Sequence, residues 1–200
     1  MNMDFPIYIA TVTDNSEGIN CISFVTEPAV ESNFLQFAKQ KEVFKFNILD
    51  SNNRKVIAPI MRCDFPIYRK DESGYQYYVK YTKEAIEVMA RKMLADNVTN
   101  KINQQHNPNN PMYGVYLEEL FIKDTSKGIN PKGFENIEEY SLFGVYTIEN
   151  DNVWQDIQSG VFKGISLEGV FTLELAPQEE TEKELLNDIL SLLKEIESIN

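Results

Sequence analysis

Short runs of aromatic and β-branched residues, separated by turn-forming residues, recur along most of this 200-residue chain. Because such residues favour extended backbone and the turn residues interrupt them, the pattern predicts many short strands. A length of 200 residues is sufficient for one domain that buries a full core without disulfides or metal. The predicted strand segments are residues 7–12, 19–25, 44–48, 55–61, 65–69, 75–81, 100–106, 113–122, 141–148 and 161–173.

Two helices are predicted within this β-rich region. Thr82 is a suitable N-cap for the first, and a shorter helix is expected after Asp151, ending at Gly160. Apolar residues recur at spacings of three and four along one face of the first helix, which predicts a core-facing stripe of Ile86, Met89, Ala90, Met93 and Leu94. In the second helix the expected core residues are Val153, Trp154 and Ile157.

Prolines and the composition of the C-terminal segment predict how the rest of the chain is arranged. Pro59, inside a predicted strand, indicates an edge or a bulge, and the Asn-Pro-Asn-Asn-Pro segment at 107–111 predicts an irregular loop. The main domain is expected to span residues 1–176, followed by a polar linker at 177–182. Residues 183–200 form a leucine-rich amphipathic pattern too short for a stable coiled coil, so we expect a helix that docks on its own domain or on a partner helix.

The charge balance restricts the partners. With 31 acidic and 19 basic residues, the net charge is −12, which disfavours nucleic acid and anionic membranes and favours basic partners. No apolar run approaches the length needed to cross a bilayer, and we expect a cytoplasmic protein. Cys21 and Cys63 lack a paired spacing and are expected to be free thiols.

The candidate chemistry centres on one histidine and one serine. His106 is the only imidazole, and Ser166 follows it by 60 residues in the segment Gly-Ile-Ser-Leu-Glu-Gly. In a strand, Gly164, Ser166 and Glu168 share one face, and we expect Gly164 and Gly169 to leave room for a substrate backbone. A serine becomes a nucleophile when a neighbouring base takes its proton. The segment lacks the nucleophile-elbow spacing, so an α/β-hydrolase is not favoured.

A base also needs a group that orients it, and with no second histidine this group must be a carboxylate. Glu118 and Glu119 are adjacent in a predicted strand and face opposite sides, so at most one takes this role. An ordinary strand serine and two solvated glutamates would give the same local pattern, and this alternative stays open. Cys63 as nucleophile has only Arg62 nearby to activate it, and no metal-ligand spacing or phosphate-binding loop is present. We therefore expect no cofactor and no metal.

Three segments carry a resemblance to a known family: residues 105–107 (Gln-His-Asn), 116–122 and 154–169. Together they resemble the phage prohead maturation proteases, including the XkdF-like group, over roughly residues 55–173. The last segment is the most specific, because a short helix bearing Trp154 leads through Gly160 into the serine strand. Residues 18–23 and 27–30 also look like the start of phage head-assembly proteins.

The resemblance implies a herpesvirus-assemblin-like fold: an α+β, mainly antiparallel β-barrel with flanking helices. It implies a serine endopeptidase that cleaves scaffold and capsid proteins, with Ser166 as nucleophile and His106 as general base. Glu119 fits the third position because its spacing to Ile122 matches the family pattern, and Glu118 is the fallback.

The same resemblance places the protein in the host cytoplasm, inside the assembling procapsid. Its expected partners are the phage scaffold and major capsid proteins, with a homodimer as one option and no cofactor, nucleic acid or membrane. The alternative hypothesis is a non-catalytic head-assembly protein, either a scaffold or a structural component, that keeps the same fold.

Overall fold

The computed structural model describes residues 5–14, 16–26, 46–71 and 73–177. Within them, twelve strands form three four-stranded sheets, accompanied by two α-helices. Sheet I has the order β12-β1-β6-β5 and comprises β1 (Ile7–Thr11), β5 (Ile67–Lys70), β6 (Gln76–Tyr81) and β12 (Thr172–Leu175). Sheet II has the order β3-β4-β10-β9 and comprises β3 (Asn47–Asp50), β4 (Lys55–Met61), β9 (Val115–Ile122) and β10 (Leu142–Ile148). Sheet III has the order β11-β2-β7-β8 and comprises β2 (Gly18–Val25), β7 (Ile102–Gln104), β8 (Asn107–Pro111) and β11 (Gly164–Val170).

Strand pairing is mainly antiparallel, with parallel exceptions at β1–β6 and β2–β7. The expected mainly antiparallel β structure is therefore confirmed, and the two helices are compatible with the expected α+β class. The described strands form three open sheets and no closed barrel, so the assemblin-like barrel implied by the resemblance is not what this part of the chain adopts.

The bulge predicted at Pro59 is present in sheet II. Leu142 pairs with Met61 while Phe143 pairs with Pro59, which leaves Ile60 as the extra residue of β4. On the other side of β4, pairing with β3 extends only as far as Ile57. Proline has no N–H to donate to the ladder, and it is tolerated here because the ladder with β10 is bulged beside it and the pairs between β3 and β4 do not reach it.

The first helix, α1 (Lys83–Ala95), begins as predicted. The Thr82 side chain accepts a hydrogen bond from the backbone N–H of Ala85 at 3.3 Å, which caps the helix. Ile86, Met89 and Met93 are fully buried in the main core, but Leu94 is 59% exposed, so its predicted place in the core stripe is wrong. Leu94 follows Met93 by one residue, and the turn of the helix carries it away from the buried face.

The second helix, α2 (Asp151–Gln158), buries Val153, Trp154 and Ile157 as predicted. Its N-cap is Asn150, whose side chain accepts from the backbone N–H groups of Asn152 and Val153, so the cap lies one residue before the predicted Asp151. Like α1, this helix packs its apolar residues into the main core.

Two predictions about chain path were wrong. Residues 107–111 form the strand β8, which among the described strands pairs only with β7 and is therefore an edge strand, and an edge tolerates prolines that a central strand would exclude. The run 161–173 is not one strand, because β11 ends at Val170 in sheet III and β12 begins at Thr172 in sheet I. Phe171 lies between them, at the point where the chain passes from one sheet to the other.

Several predictions fall on residues that lie outside the described ranges. These are the head-assembly-like segment at 27–30, the linker from residue 178 onward and the amphipathic helix at 183–200. The domain boundaries therefore remain predictions. In the part of the chain that the structure covers, neither helix has the length and apolar character required to cross a bilayer.

Candidate active site

Ser23, in the middle of β2, has a polar neighbour on each adjacent strand. Ser166 lies opposite it in the antiparallel β11, and Asn103 lies beside it in the parallel β7. Paired residues on neighbouring strands point to the same face of a sheet, so these three side chains form a row. The other face carries Phe24 and Ile165, which are buried in the main core. Sheet III thus presents one apolar face to the core and a polar row on its other face.

His106 reaches this row from a tight turn. Gln105 and His106 connect β7 to β8, and their φ angles are 53° and 57°. A two-residue hairpin turn with both residues in the left-handed region is the type I′ turn that matches strand twist. The turn is anchored to β2 because the Gln105 backbone N–H donates to the Phe24 carbonyl at 3.0 Å, and its side chain donates to Thr26 Oγ1 at 2.8 Å.

Four side chains converge at this point, and we call Ser23, Asn103, His106 and Glu168 the polar cluster. Oε1 of Glu168 accepts hydrogen bonds from Ser23 Oγ at 2.7 Å and from Asn103 Nδ2 at 3.0 Å. Nδ1 of His106 lies 3.2 Å from the same Glu168 oxygen and 3.2 Å from Ser23 Oγ. Ser23 Oγ is also 2.5 Å from Asn103 Oδ1. A single carboxylate oxygen is therefore the common acceptor of the cluster.

Glu168 is ionised at neutral pH. Desolvation of the partly buried carboxyl group raises its pKa, but the hydrogen bonds from Ser23, Asn103 and His106 outweigh this effect. The net result is a pKa lowered from the ordinary value of 4.5. Hydrogen bonds to the charged form of an acid favour that form.

The surroundings of His106 also determine its tautomer. Its Nδ1 atom faces two oxygen atoms, one of them on the Glu168 carboxylate, which only accepts hydrogen bonds. A proton on Nδ1 makes this contact favourable, whereas a lone pair there would face the lone pairs of the carboxylate. Protonation of Nδ1 leaves Nε2 as the basic nitrogen of the neutral ring. The side chain is 42% exposed, so this ring remains accessible to solvent.

His106, Ser166 and Glu168 line one open cleft of about 680 Å³. The cleft is also lined by residues of sheet I, among them Arg69, Tyr77, Val79 and Tyr81, and by Phe171, which links β11 to β12. Ser166 is 8% exposed at this cleft, whereas Ser23 is completely buried. Ser166 is therefore the serine of this face that a ligand in the cleft can reach.

The structure places Glu118 and Glu119 elsewhere, in β9 of sheet II. The Glu118 carboxylate accepts from Lys55 Nζ at 2.5 Å and from the Thr147 hydroxyl. Glu119 is exposed and lies opposite Val145 in β10. Among the described residues, the carboxylate beside His106 is that of Glu168 and not that of Glu119. The geometry therefore does not support the expected third member, because His106 belongs to sheet III.

Glu168 takes the position next to His106, and sequence reasoning did not select it. The signal was present, since Glu168 follows Ser166 by two residues and so lies on the same strand face. Gly169 was expected to leave room for substrate, and it does line the same cleft as Ser166, but its lack of a side chain also has a packing role. A Cβ atom at Gly169 would lie 2.4 Å from the Gly18 carbonyl oxygen and 2.7 Å from the Phe171 ring, so the glycine permits close packing between strands.

The alternative nucleophile, Cys63, is not suited to the role. Burial raises the pKa of its thiol to about 12, and the charge of Asp64 adds to the effect. The thiolate is the reactive form of cysteine, so Cys63 is almost entirely unreactive near neutral pH. Among the described residues, no group of three or more His, Cys, Asp and Glu side chains is arranged to hold a metal ion.

Comparison with known proteins identifies a family. The model of a family described as "Putative phage serine protease XkdF" matches residues 67–174, which is more than half of the chain. No curated protein and no solved structure matches the chain. The matched region contains Asn103, His106, Ser166 and Glu168, whereas Ser23 lies before it. On the strength of this match, the chain belongs to the XkdF family of phage serine proteases.

Proposed function

We propose that this protein is a serine endopeptidase that cleaves scaffold and major capsid proteins during phage head maturation. Ser166 is the nucleophile, His106 is the general base and Glu168 orients the base. The observation that carries the proposal is that His106 and Ser166, which are 60 residues apart in the sequence, line the same cleft. Glu168, which contacts His106 Nδ1 at 3.2 Å, replaces Glu119 in this assignment.

In this mechanism, Ser166 Oγ attacks the carbonyl carbon of the scissile peptide bond while its proton passes to His106 Nε2. The protonated ring then donates that proton to the leaving amine, and an ester between Ser166 and the acyl group remains. Water attacks the ester with His106 again as base, which restores the serine. Glu168 keeps Nδ1 protonated throughout and stabilises the imidazolium formed in each half-reaction.

The form of the cleft supports a polypeptide substrate. Its wall in sheet I presents Tyr77, Val79 and Tyr81, which are alternate residues of β6 and so share one face. Val79 and Tyr81 are buried in the core, so the partly exposed rings of Tyr77 and Phe171 supply most of the aromatic surface in this cleft. Such a surface is suited to the side chains of an extended peptide.

Family membership supports the proposed location and substrates. Because the family is one of phage serine proteases, we expect the protein to act in the host cytoplasm inside the assembling procapsid. Its substrates would be the scaffold and major capsid proteins enclosed with it, and the chemistry requires no cofactor. We expect the C-terminal segment 183–200 to tether the protease to scaffold or to a second copy of itself.

The test is co-expression of the chain with the scaffold and major capsid proteins of the same phage, followed by mass-spectrometric mapping of new termini. Wild type should produce defined fragments, and Ser166→Ala or His106→Ala should produce none. Glu119→Gln is the matched control and should cleave as wild type does. Fragments that persist in Ser166→Ala would refute the assignment. Normal heads assembled without any cleavage by folded wild type would instead support the non-catalytic head-assembly role.

A further inference from the structure

We infer that Ser23 and Asn103 are positioning residues that hold the Glu168 carboxylate against His106, so that the ring keeps its proton on Nδ1 and its basic nitrogen free. This inference rests on the proposed function, and it extends the site beyond the region that the family model matches. Ser23 lies in β2, more than 40 residues before that region begins. The three strands β2, β7 and β11 would then each contribute to the site.

The hydrogen bonds of the cluster can be counted proton by proton. Asn103 Nδ2 points at Glu168 Oε1 at 3.0 Å, and the opposite amide orientation would place Oδ1 against the carboxylate. Asn103 Oδ1 therefore faces Ser23 Oγ, at 2.5 Å. The single hydroxyl proton of Ser23 has two acceptors within reach. One is this Asn103 oxygen, and the other is Glu168 Oε1, which lies 2.7 Å from Ser23 Oγ. Asn103 donates to Glu168 through Nδ2, while the one Ser23 proton is shared between Glu168 Oε1 and Asn103 Oδ1, so the three side chains form one connected hydrogen-bond network.

Burial makes this arrangement rigid. Ser23 is completely buried and Asn103 is 5% exposed, so both are fixed in the sheet. Glu168 differs, because 34% of its side chain is exposed and it has three rotatable bonds. Without partners, its carboxylate would sample other rotamers in solvent, and ordering it costs entropy. Hydrogen bonds from two buried side chains to one carboxylate oxygen restrict the rotamers of Glu168 before substrate binds. Buried hydrogen-bond partners orient metal ligands and catalytic side chains in the same way.

Ser23 is not a second nucleophile, although it is the serine whose Oγ lies 3.2 Å from the imidazole. It contacts Nδ1, the nitrogen that carries the proton, and it is inaccessible to a peptide carbonyl. Ser166, its partner across the ladder, lines the cleft. Removal of the Ser23 hydroxyl should therefore slow the reaction at Ser166 without removing the reactive serine.

The single histidine allows a test that does not depend on activity. In protein with any affinity tag removed, the imidazole ¹⁵N signals arise from His106 alone, and their shifts report which nitrogen carries the proton. At a pH where the ring is neutral, wild type should show mainly the Nδ1–H form. Ser23→Ala and Asn103→Leu should move the population toward Nε2–H, the tautomer that puts the proton on the nitrogen needed as base. Ser23→Thr keeps the hydroxyl and should restore the wild-type spectrum.

A rate measurement completes the test. Reaction with a fluorophosphonate should be about 10- to 100-fold slower in Ser23→Ala and Asn103→Leu than in wild type, a typical effect for partners of a site residue. Ser159→Ala, which removes an exposed serine at the end of α2, is the matched control and should react at the wild-type rate. Asn103→Leu serves as the independent variant if Ser23→Ala does not fold.

The outcomes separate the inference from the proposed function. Wild-type tautomer and rate in folded Ser23→Ala and Asn103→Leu would overturn the positioning role and leave Ser166 chemistry intact. Slower reaction with an unchanged tautomer would also overturn it, since a purely structural role predicts that result. An adduct on Ser23 in wild type would overturn both assignments. No adduct on folded wild type would refute the proposed function and, with it, the inference.

Discussion

Ser23 and Ser166 face each other across the β2–β11 ladder, yet only Ser166 lines the cleft. Ser23 is fully buried and lies 3.2 Å from His106 Nδ1, whereas Ser166 opens onto the cleft that His106 also lines. Two serines that pair directly across the strands therefore have different chemical environments. In our proposal Ser166 reacts, and Ser23 holds the carboxylate that orients the base.

Glu168→Gln should slow fluorophosphonate labelling by up to about 10⁴-fold, the order of effect seen when an orienting carboxylate becomes an amide. The amide can donate to Nδ1 and so favours the wrong tautomer of His106. Glu119→Gln, in sheet II, is the control and should label at the wild-type rate. The reverse ranking of these two variants would reinstate Glu119 as the third member.

The lowered pKa of Glu168 predicts a dependence of stability on pH. Because the folded state favours the carboxylate, the stabilisation is complete above the ordinary value of 4.5 and is lost as the pH falls through the lowered pKa. Urea unfolding of wild type and Glu168→Gln between pH 7 and pH 3 measures this. The stability difference between them should be constant near neutral pH and should shift against wild type at acid pH. A shift in favour of wild type as the pH falls would contradict the assigned direction.

Gly169→Ala should destabilise the fold and slow labelling together. The new Cβ would lie 2.4 Å from a backbone oxygen of Gly18, so β11 must shift relative to β2. Overpacking of this kind costs about 1–3 kcal/mol, and Glu168 is the adjacent residue. Gly128→Ala is the control: its φ is 77° and its Cβ would meet nothing within 4 Å, so it should lower stability without changing the labelling rate of the folded protein. Thermal melts and labelling rates check both, and unchanged labelling in Gly169→Ala would argue against the coupling.

Lys123→Met should lower the free energy of unfolding by about 3 kcal/mol, because several buried acceptors lose a charged donor at once. The Lys123 side chain is 1% exposed and donates to the backbone carbonyls of Phe134, Glu135 and Ile137 at 3.4, 2.8 and 2.6 Å. Lys127, which is 73% exposed beside Asp124, provides the control. Lys127→Met should unfold near the wild-type urea midpoint, and equal effects of the two substitutions would contradict the structural role of Lys123.

The strand content and both helices could be predicted because their signals are local. Thr82 and the Ile86, Met89 and Met93 spacing specify α1 within a few turns of chain, and the Pro59 bulge follows from a missing N–H. Residues 107–111 were misjudged for a related reason. Their prolines exclude a central strand, but an edge strand tolerates them, and position within a sheet depends on distant segments.

The residues of the site also fall into two groups, those with a local sequence signal and those without one. His106 stands out as the only imidazole and Ser166 as a strand serine between glycines, so both could be selected from local sequence. The neighbour of His106 could not, since it depends on which strands pair. Glu168 reaches the imidazole because β7 and β11 both border β2, and Glu119 does not because β9 pairs with β10. Ser23, 83 residues before His106, had no local signal at all.

The most direct measurement is the intact mass of wild type, Ser166→Ala and Ser23→Ala after treatment with a fluorophosphonate, with peptide mapping of any adduct. We predict one adduct on wild type at Ser166, none on Ser166→Ala, and a slower but complete reaction at Ser166 in Ser23→Ala. An adduct that persists on Ser166→Ala, or no adduct on folded wild type, would contradict the assignment of Ser166 as the nucleophile.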